Sequence, residues 1–145
     1  MISKITSLVA VGIAICGVAF LAFKDNLISS NPPGIIVQVL ALGLMLWARM
    51  TFGKRSFHAA ANPTEGGLVT NGPYRFLRHP IYAAATYLVW AGVLSHRSIE
   101  TIAIAIAVTL CLVVRMLLEE QLLIVSYPEY EQYSKSAKRI IPFLF

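Results

Sequence analysis

The chain has 145 residues, 57% of them hydrophobic and 13% charged, with a mean hydropathy of +0.70. A soluble domain carries about 25% charged residues, so this composition excludes an ordinary water-soluble globule and indicates an integral membrane protein. Twelve Lys and Arg against seven Asp and Glu give a formal charge of +5, but the basic residues sit in loops beside apolar runs, which suits topology and anionic lipid rather than nucleic acid.

In chain order, residues 5–23 are apolar and long enough to span, and Lys24, Asp25 and Asn26 follow at an interface. A cleaved signal peptide would normally have a shorter apolar region, about 7–15 residues. Asn31, Pro32, Pro33 and Gly34 break the chain before a second span over about 34–50, where Gln38 is the only strongly polar side chain ahead of Arg49. Residues 51–79 are too polar for lipid, with Lys54, Arg55, His58, Asn62, Pro63, Glu65, Gly66, Arg75 and Arg78 among them. A loop this long in a compact protein is often functional. Pro80 suits a first helical turn, where its missing donor costs nothing, and a third span is expected over about 80–95. Its apolar part, Ile81 to Leu94, reaches only about 21 Å against a hydrocarbon core of about 30 Å. It must borrow flanking residues or begin below the membrane surface. After Ser95, His96, Arg97 and Ser98, a fourth span is expected over about 99–119, and the remaining residues 126–145 form a tail.

These elements predict an all-α, polytopic fold of about four transmembrane helices, forming a single domain over residues 1–145 with no room for a separate soluble one. Four spans put both termini on one side. Arg49, Lys54, Arg55, Arg75 and Arg78 in the long loop and Lys135, Lys138 and Arg139 in the tail outnumber Lys24 and Arg97 on the opposite loops. The positive-inside rule therefore assigns loop, tail and both termini to the cytoplasm, where loop and tail can meet. Cys16 and Cys111 fall within apolar runs and show no metal-type spacing with His58, His79 or His96, so neither a disulfide scaffold nor a metal site is expected.

Three clusters are chemically suggestive. Arg115 and Glu119 are i and i+4, on one helical face near the end of the fourth span, with Glu120 beside them. They read either as an interfacial ion pair with a snorkelling Arg or as a pocket holding charged groups at the membrane surface. Tyr74, His79 and Tyr82 crowd the start of the third span, where free backbone donors favour a carboxylate or phosphate; an interfacial belt is the plainer reading. Tyr127, Pro128, Glu129, Tyr130 and Tyr133, followed by Lys138, Arg139, Ile140, Ile141, Pro142 and Phe143, read as a helix after Pro128 that turns back to the membrane. That segment also fits a simple amphipathic anchor.

Taken together, Leu68-Val69-Thr70-Asn71-Gly72-Pro73-Tyr74, then Arg78-His79-Pro80-Ile81-Tyr82, then Arg115 with Glu119-Glu120, then Tyr130 and Pro142, resemble the isoprenylcysteine carboxyl methyltransferase family and its phospholipid methyltransferase relatives. The resemblance covers roughly residues 66–143. It implies an S-adenosylmethionine-dependent methyltransferase whose cofactor site lies between the long loop, the last helical hairpin and the tail, on the cytoplasmic side. By position it implies that Leu68, Val69, Tyr74, His79, Pro80, Ile81, Tyr82 and Glu119 hold the cofactor. It also implies that Arg115 holds the substrate, with Arg115 and Glu119 as the catalytic pair and no metal. The acceptor it implies is lipid-borne, prenylated or otherwise apolar, with membrane lipid as the partner. Ala84 and Gly67 depart from the family's usual residues, which bears on how closely the cofactor approaches.

No Gly-x-Gly-x-x-Gly turn follows a strand-like run, which leaves a soluble dinucleotide-type methyltransferase fold without support. Two other readings remain open at this point, a membrane NADPH-dependent reductase of steroid-reductase type and a non-catalytic membrane subunit. Whether the acceptor is methylated on O, N or S, and whether a general base takes part, also stay open.

Overall fold

The computed structural model describes residues 2–53 and 67–141. Lys54, Arg55, His58, Asn62, Pro63, Glu65 and Gly66 of the long loop, and Pro142 and Phe143 of the tail, lie outside the described residues. Five α-helices follow in order: α1 (Ile2–Phe23), α2 (Pro32–Phe52), α3 (Pro80–His96), α4 (Ile99–Ser126) and α5 (Tyr130–Ser136), with a 3₁₀ turn at Gly72–Arg75 before α3. The described residues form no strand, only an isolated parallel bridge between Leu77 and Lys138.

Helix limits differ from the sequence expectation where capping chemistry intervenes. Pro32 and Pro33 begin α2 instead of preceding it, because a proline at the first helical positions lacks only a donor that would go unused. Asn31 caps the turn, its side-chain oxygen accepting from the Gly34 N–H at 2.8 Å. α4 runs to Ser126, seven residues past the expected limit at 119, because Glu119, Glu120 and Gln121 are good helix formers even though they end the apolar run. It stops at Tyr127, the residue that Pro128 biases away from helix.

Three helices, α1, α2 and α4, are long and apolar enough to cross a bilayer. α3 has 17 residues, about 25 Å at 1.5 Å per residue, so the expected four spans appear as four long helices of which three reach spanning length. Their packing is inverted relative to a soluble protein. Ala10, Ala14, Ala41, Ala48, Ala83, Ala84 and Ala105 are buried, while Ile13, Ile15, Ile36, Val39, Leu40 and Leu46 are exposed. In lipid no hydrophobic force drives helices together, so small residues that let backbones approach take the interfaces and large apolar ones face the tails.

α1 packs along α4, α2 along α3, and α3 joins the two pairs through α4. A cluster of Leu21, Val89, Val93, Ala105 and Val108 marks the join. Gly92 is required there: a Cβ at that position would lie 2.1 Å from the Leu27 carbonyl oxygen. At this end of the bundle Gln38 accepts from the Ser29 N–H at 3.0 Å and donates to the Leu27 carbonyl at 2.7 Å and the Leu88 carbonyl at 3.1 Å. Ser95 accepts from the Ser30 N–H at 2.9 Å, and His96 Nε2 lies 3.0 Å from the Ile28 carbonyl. The loop between α1 and α2 is thereby sewn to the α3–α4 turn, and this end is closed.

Candidate functional site

The opposite end carries the charged side chains. Pro80 fixes the start of α3 and leaves His79, buried, as the residue before its first turn. Tyr82 follows within that turn. α4 runs antiparallel beside it and presents Arg115 and Glu119 one turn apart. The Tyr82 hydroxyl donates to Glu119 Oε1 at 2.5 Å and accepts from Arg115 Nε at 2.5 Å. Arg115 Nη2 lies 3.2 Å from Glu119 Oε1, and its Nη1 donates to Ser7 Oγ of α1 at 3.3 Å. Arg115 is thus buried but engaged on every face of its fork, which makes the pairing a charge-assisted network rather than an isolated snorkelling cation. His79 stacks on Tyr82 with ring centroids 5.6 Å apart at 14°, and its Nδ1 lies 3.9 Å from Glu119 Oε2.

Neighbouring residues on a helix point about 100° apart, so Glu119 and Glu120 do different things. Glu120 turns from Tyr82 toward the loop and tail. It takes Arg78 Nη1 at 2.9 Å, His79 Nε2 at 3.3 Å and Arg139 Nη2 at 3.1 Å, and its side chain is 8% exposed. Arg78 and His79 donate their backbone N–H groups to the carbonyls of Lys138 and Arg139, and Lys138 N–H returns to Phe76 O. The tail does form a helix after Pro128, but it is more than a surface anchor: Tyr130 is 1% exposed, and residues 138 and 139 are paired to the approach to α3. Tyr133 reinforces that pairing by donating to the Tyr74 carbonyl at 2.6 Å.

A cavity of about 820 Å³ opens between these elements, within the range of small-molecule sites, about 300–1,000 Å³. All nine residues singled out in the sequence, Leu68, Val69, Tyr74, His79, Pro80, Ile81, Tyr82, Arg115 and Glu119, line it. Arg78 and the tail tyrosines, noted in the sequence but not assigned to cofactor or substrate, complete the wall together with flanks from α1 and α2 that the sequence did not reveal. Tyr127, Tyr130 and Tyr133 supply an aromatic side, Arg78 a cationic corner, and Met45, Arg49 and Phe52 of α2 another flank. Val11, Ile15, Val18, Ala19 and Ala22 of α1 face it as well. Their spacing repeats at three and four, one helical stripe, which the uniformly apolar run of α1 could not reveal.

Burial, with the charge of Glu119 adding to it, pushes the Tyr74 hydroxyl well above the ordinary phenol range; burial does the same to Tyr133 and raises Tyr130. Tyr74, Tyr130 and Tyr133 are therefore neutral phenols at physiological pH, and with the Tyr133 proton spent on the Tyr74 carbonyl this side meets a ligand chiefly through its rings. The polar head and the apolar arm beyond it are parts of one space. That space can hold a charged, aromatic molecule beside a hydrocarbon chain.

With this geometry in place, comparison with known proteins shows that a family model described as phospholipid methyltransferase matches residues 31–130. No curated protein and no solved structure matches the chain. The matched stretch contains α2, α3, α4, the 3₁₀ turn and every one of the nine site residues.

Proposed function

The chain belongs to the phospholipid methyltransferase family, and from that premise we propose that it transfers a methyl group from S-adenosylmethionine to a lipid-borne acceptor in the bilayer. The observation that carries the reading is the single cavity in which a charged head, built on His79, Tyr82, Arg115 and Glu119, continues into an apolar arm. The donor set suits the cofactor. Glu119 is an anionic partner for an ammonium, the first turn of α3 offers backbone donors to a carboxylate, and tyrosine rings suit adenine and a sulfonium. The Tyr130 ring stands in the same wall and adds aromatic surface for a bound ligand.

S-adenosylmethionine, when bound, supplies a methyl group already activated on a positively charged sulfur. What the protein adds is alignment, exclusion of water and placement of charge. Tyr82 and Arg115 fix the Glu119 carboxylate, and His79 is held between Glu119 and Glu120. A carboxylate acceptor, such as a prenylcysteine, needs no base. An amine acceptor, such as a phospholipid headgroup, must lose a proton, for which Glu119 and His79 are the groups in reach.

The lipid-borne acceptor is supported by the arm's length and its open side. Along α1 the lining runs from Val11 to Ala22, and along α4 from Glu119 back to Val108. Each is about 16 Å at 1.5 Å per residue, roughly half the bilayer's ~30 Å core and hence one leaflet deep. Ile15 is 62% exposed and yet lines the cavity, so the arm opens sideways toward lipid. In this reading α3 completes a fourth crossing with its flanking residues, shielded along its length by α2. The head faces the cytoplasm, because Arg49, Arg75, Arg78, Lys135, Lys138 and Arg139 gather at that end and only Lys24 and Arg97 at the other.

Membranes containing the protein, incubated with isotopically labelled S-adenosylmethionine, are expected to yield one lipid class shifted by the labelled methyl mass and absent from membranes carrying Glu119→Gln. No labelled lipid, with label found only in soluble products, would refute a lipid-borne acceptor.

A further inference from the structure

Glu120 lies outside the cavity wall, which includes its neighbour Glu119 and its partners Arg78 and His79. It is nonetheless the most heavily engaged carboxylate among the described residues. Arg78, His79 and Arg139 reach it from two separate stretches of chain, at 2.9, 3.3 and 3.1 Å, and the Arg139 contact is two-pronged, with Nε at 3.1 Å from the same oxygen. A surface carboxylate contributes little through such contacts. One whose side chain is 8% exposed must be fully paired to be tolerated, and losing a partner leaves charge uncompensated.

The three partners share a place in the fold. Arg78 and His79 are the last residues before α3, and Arg139 belongs to the tail segment whose backbone pairs with them. Between Glu120 and Arg139 the chain makes α5, which carries Tyr130 and Tyr133 into the cavity. The Glu120–Arg139 contact therefore closes a loop of chain around the aromatic wall, and the Glu120–His79 contact sets the ring that stacks on Tyr82. We infer that Glu120 is a positioning residue for the cofactor site: it touches neither donor nor acceptor, and acts by clamping the tail to the approach to α3 so that His79 and the tyrosine wall are held in their binding arrangement. The inference rests on the methyltransferase reading and extends it by separating the roles of the two adjacent glutamates. Glu119 faces the ligand, and Glu120 holds the residues that face it.

The clamp is tested with Arg139→Gln and Glu120→Gln in purified protein reconstituted in lipid nanodiscs. S-adenosylmethionine binding is measured by calorimetry and methyl transfer at saturating donor. Arg139 is half-buried and outside the cavity, and its replacement keeps the Arg78 and His79 contacts, so this variant guards against a Glu120→Gln protein that fails to fold. Removing a charged hydrogen-bond partner should weaken donor binding about tenfold in Arg139→Gln, while kcat at saturating donor stays within about threefold. Arg139→Lys should recover part of the affinity.

Unchanged donor affinity in Arg139→Gln would overturn the clamp. So would a collapse of kcat in Glu120→Gln with donor affinity intact, because Glu120 would then act in the chemistry itself. Should the unaltered protein fail to bind S-adenosylmethionine, the underlying reading falls and the clamp with it, an outcome distinct from a failure of the variants alone.

Discussion

At the end of the bundle where residues 24–31 meet the α3–α4 turn, polar side chains are turned on the backbone: Gln38 serves three main-chain groups and Ser95 and His96 one each. At the other end Tyr82, Arg115 and Glu119 engage one another and border open space. Both ends hold buried polar groups, and among the described residues both pair nearly all of them, as a low-dielectric setting demands. The difference lies in what the satisfied groups enclose. Backbone-directed bonds tie the loop between α1 and α2 to the α3–α4 turn at the far end. Side-chain bonds between α3 and α4 at the near end hold charge around a cavity, so the first arrangement fixes the fold and the second fixes a site.

Four substitutions separate these roles. The largest expected effect is at the open end: Glu119→Gln removes the carboxylate that Tyr82 and Arg115 hold, and methyl transfer should fall about 10³-fold, roughly 4 kcal/mol, while the thermal unfolding midpoint in nanodiscs falls by less, because Arg115 loses its counter-charge but keeps Tyr82 and Ser7. Equal loss of fold and activity would erase the distinction between the ends. Gly92→Ala comes next and should act in the opposite sense. Its Cβ would meet the Leu27 carbonyl oxygen at 2.1 Å, an overpacking that costs about 3 kcal/mol. The expected result is a lower unfolding midpoint and unaltered donor affinity in the protein that remains folded. Gln38→Leu should follow at about 2 kcal/mol, because the buried Ser29 N–H loses its acceptor; activity per folded molecule is again expected to persist. The smallest effect is a gain. Arg97 closes α3 in the left-handed region at φ 54°, where glycine is unstrained, so Arg97→Gly should raise stability by about 0.5–1 kcal/mol without touching turnover.

The open end was the more legible of the two in the sequence. Arg115 and Glu119 announce a shared face by their spacing, and Pro80 announces the start of α3, which together bring His79 to Glu119. The four long helices were also readable, because each rests on a long, mostly apolar run. Legibility failed where residues distant along the chain decide the contact. Ser7 reaches Arg115 across 108 positions, and Gln38 looks like a lone polar residue in a span until residues 27–29 and 88 are seen around it. Nothing in their local context marks them.

The two glutamates failed for a different reason. They sit side by side, and only helical rotation against two different neighbours, Tyr82 for one and Arg139 for the other, tells their directions apart. The helix limits erred where apolarity was taken as the measure of helix. α4 continues through Glu119, Glu120 and Gln121 because backbone propensity, not hydrophobicity, governs where a helix ends in water or at an interface.

The central claim is that the cavity headed by His79, Tyr82 and Glu119 is a site for S-adenosylmethionine. Equilibrium binding to the purified protein in nanodiscs, with NADPH as the competing ligand and Glu119→Gln as the altered protein, tests it most directly. The account predicts saturable one-to-one binding of S-adenosylmethionine, at least tenfold weaker in Glu119→Gln, and no displacement by NADPH. Binding of NADPH in place of S-adenosylmethionine, or equal S-adenosylmethionine affinity in the Glu119→Gln protein, would contradict it.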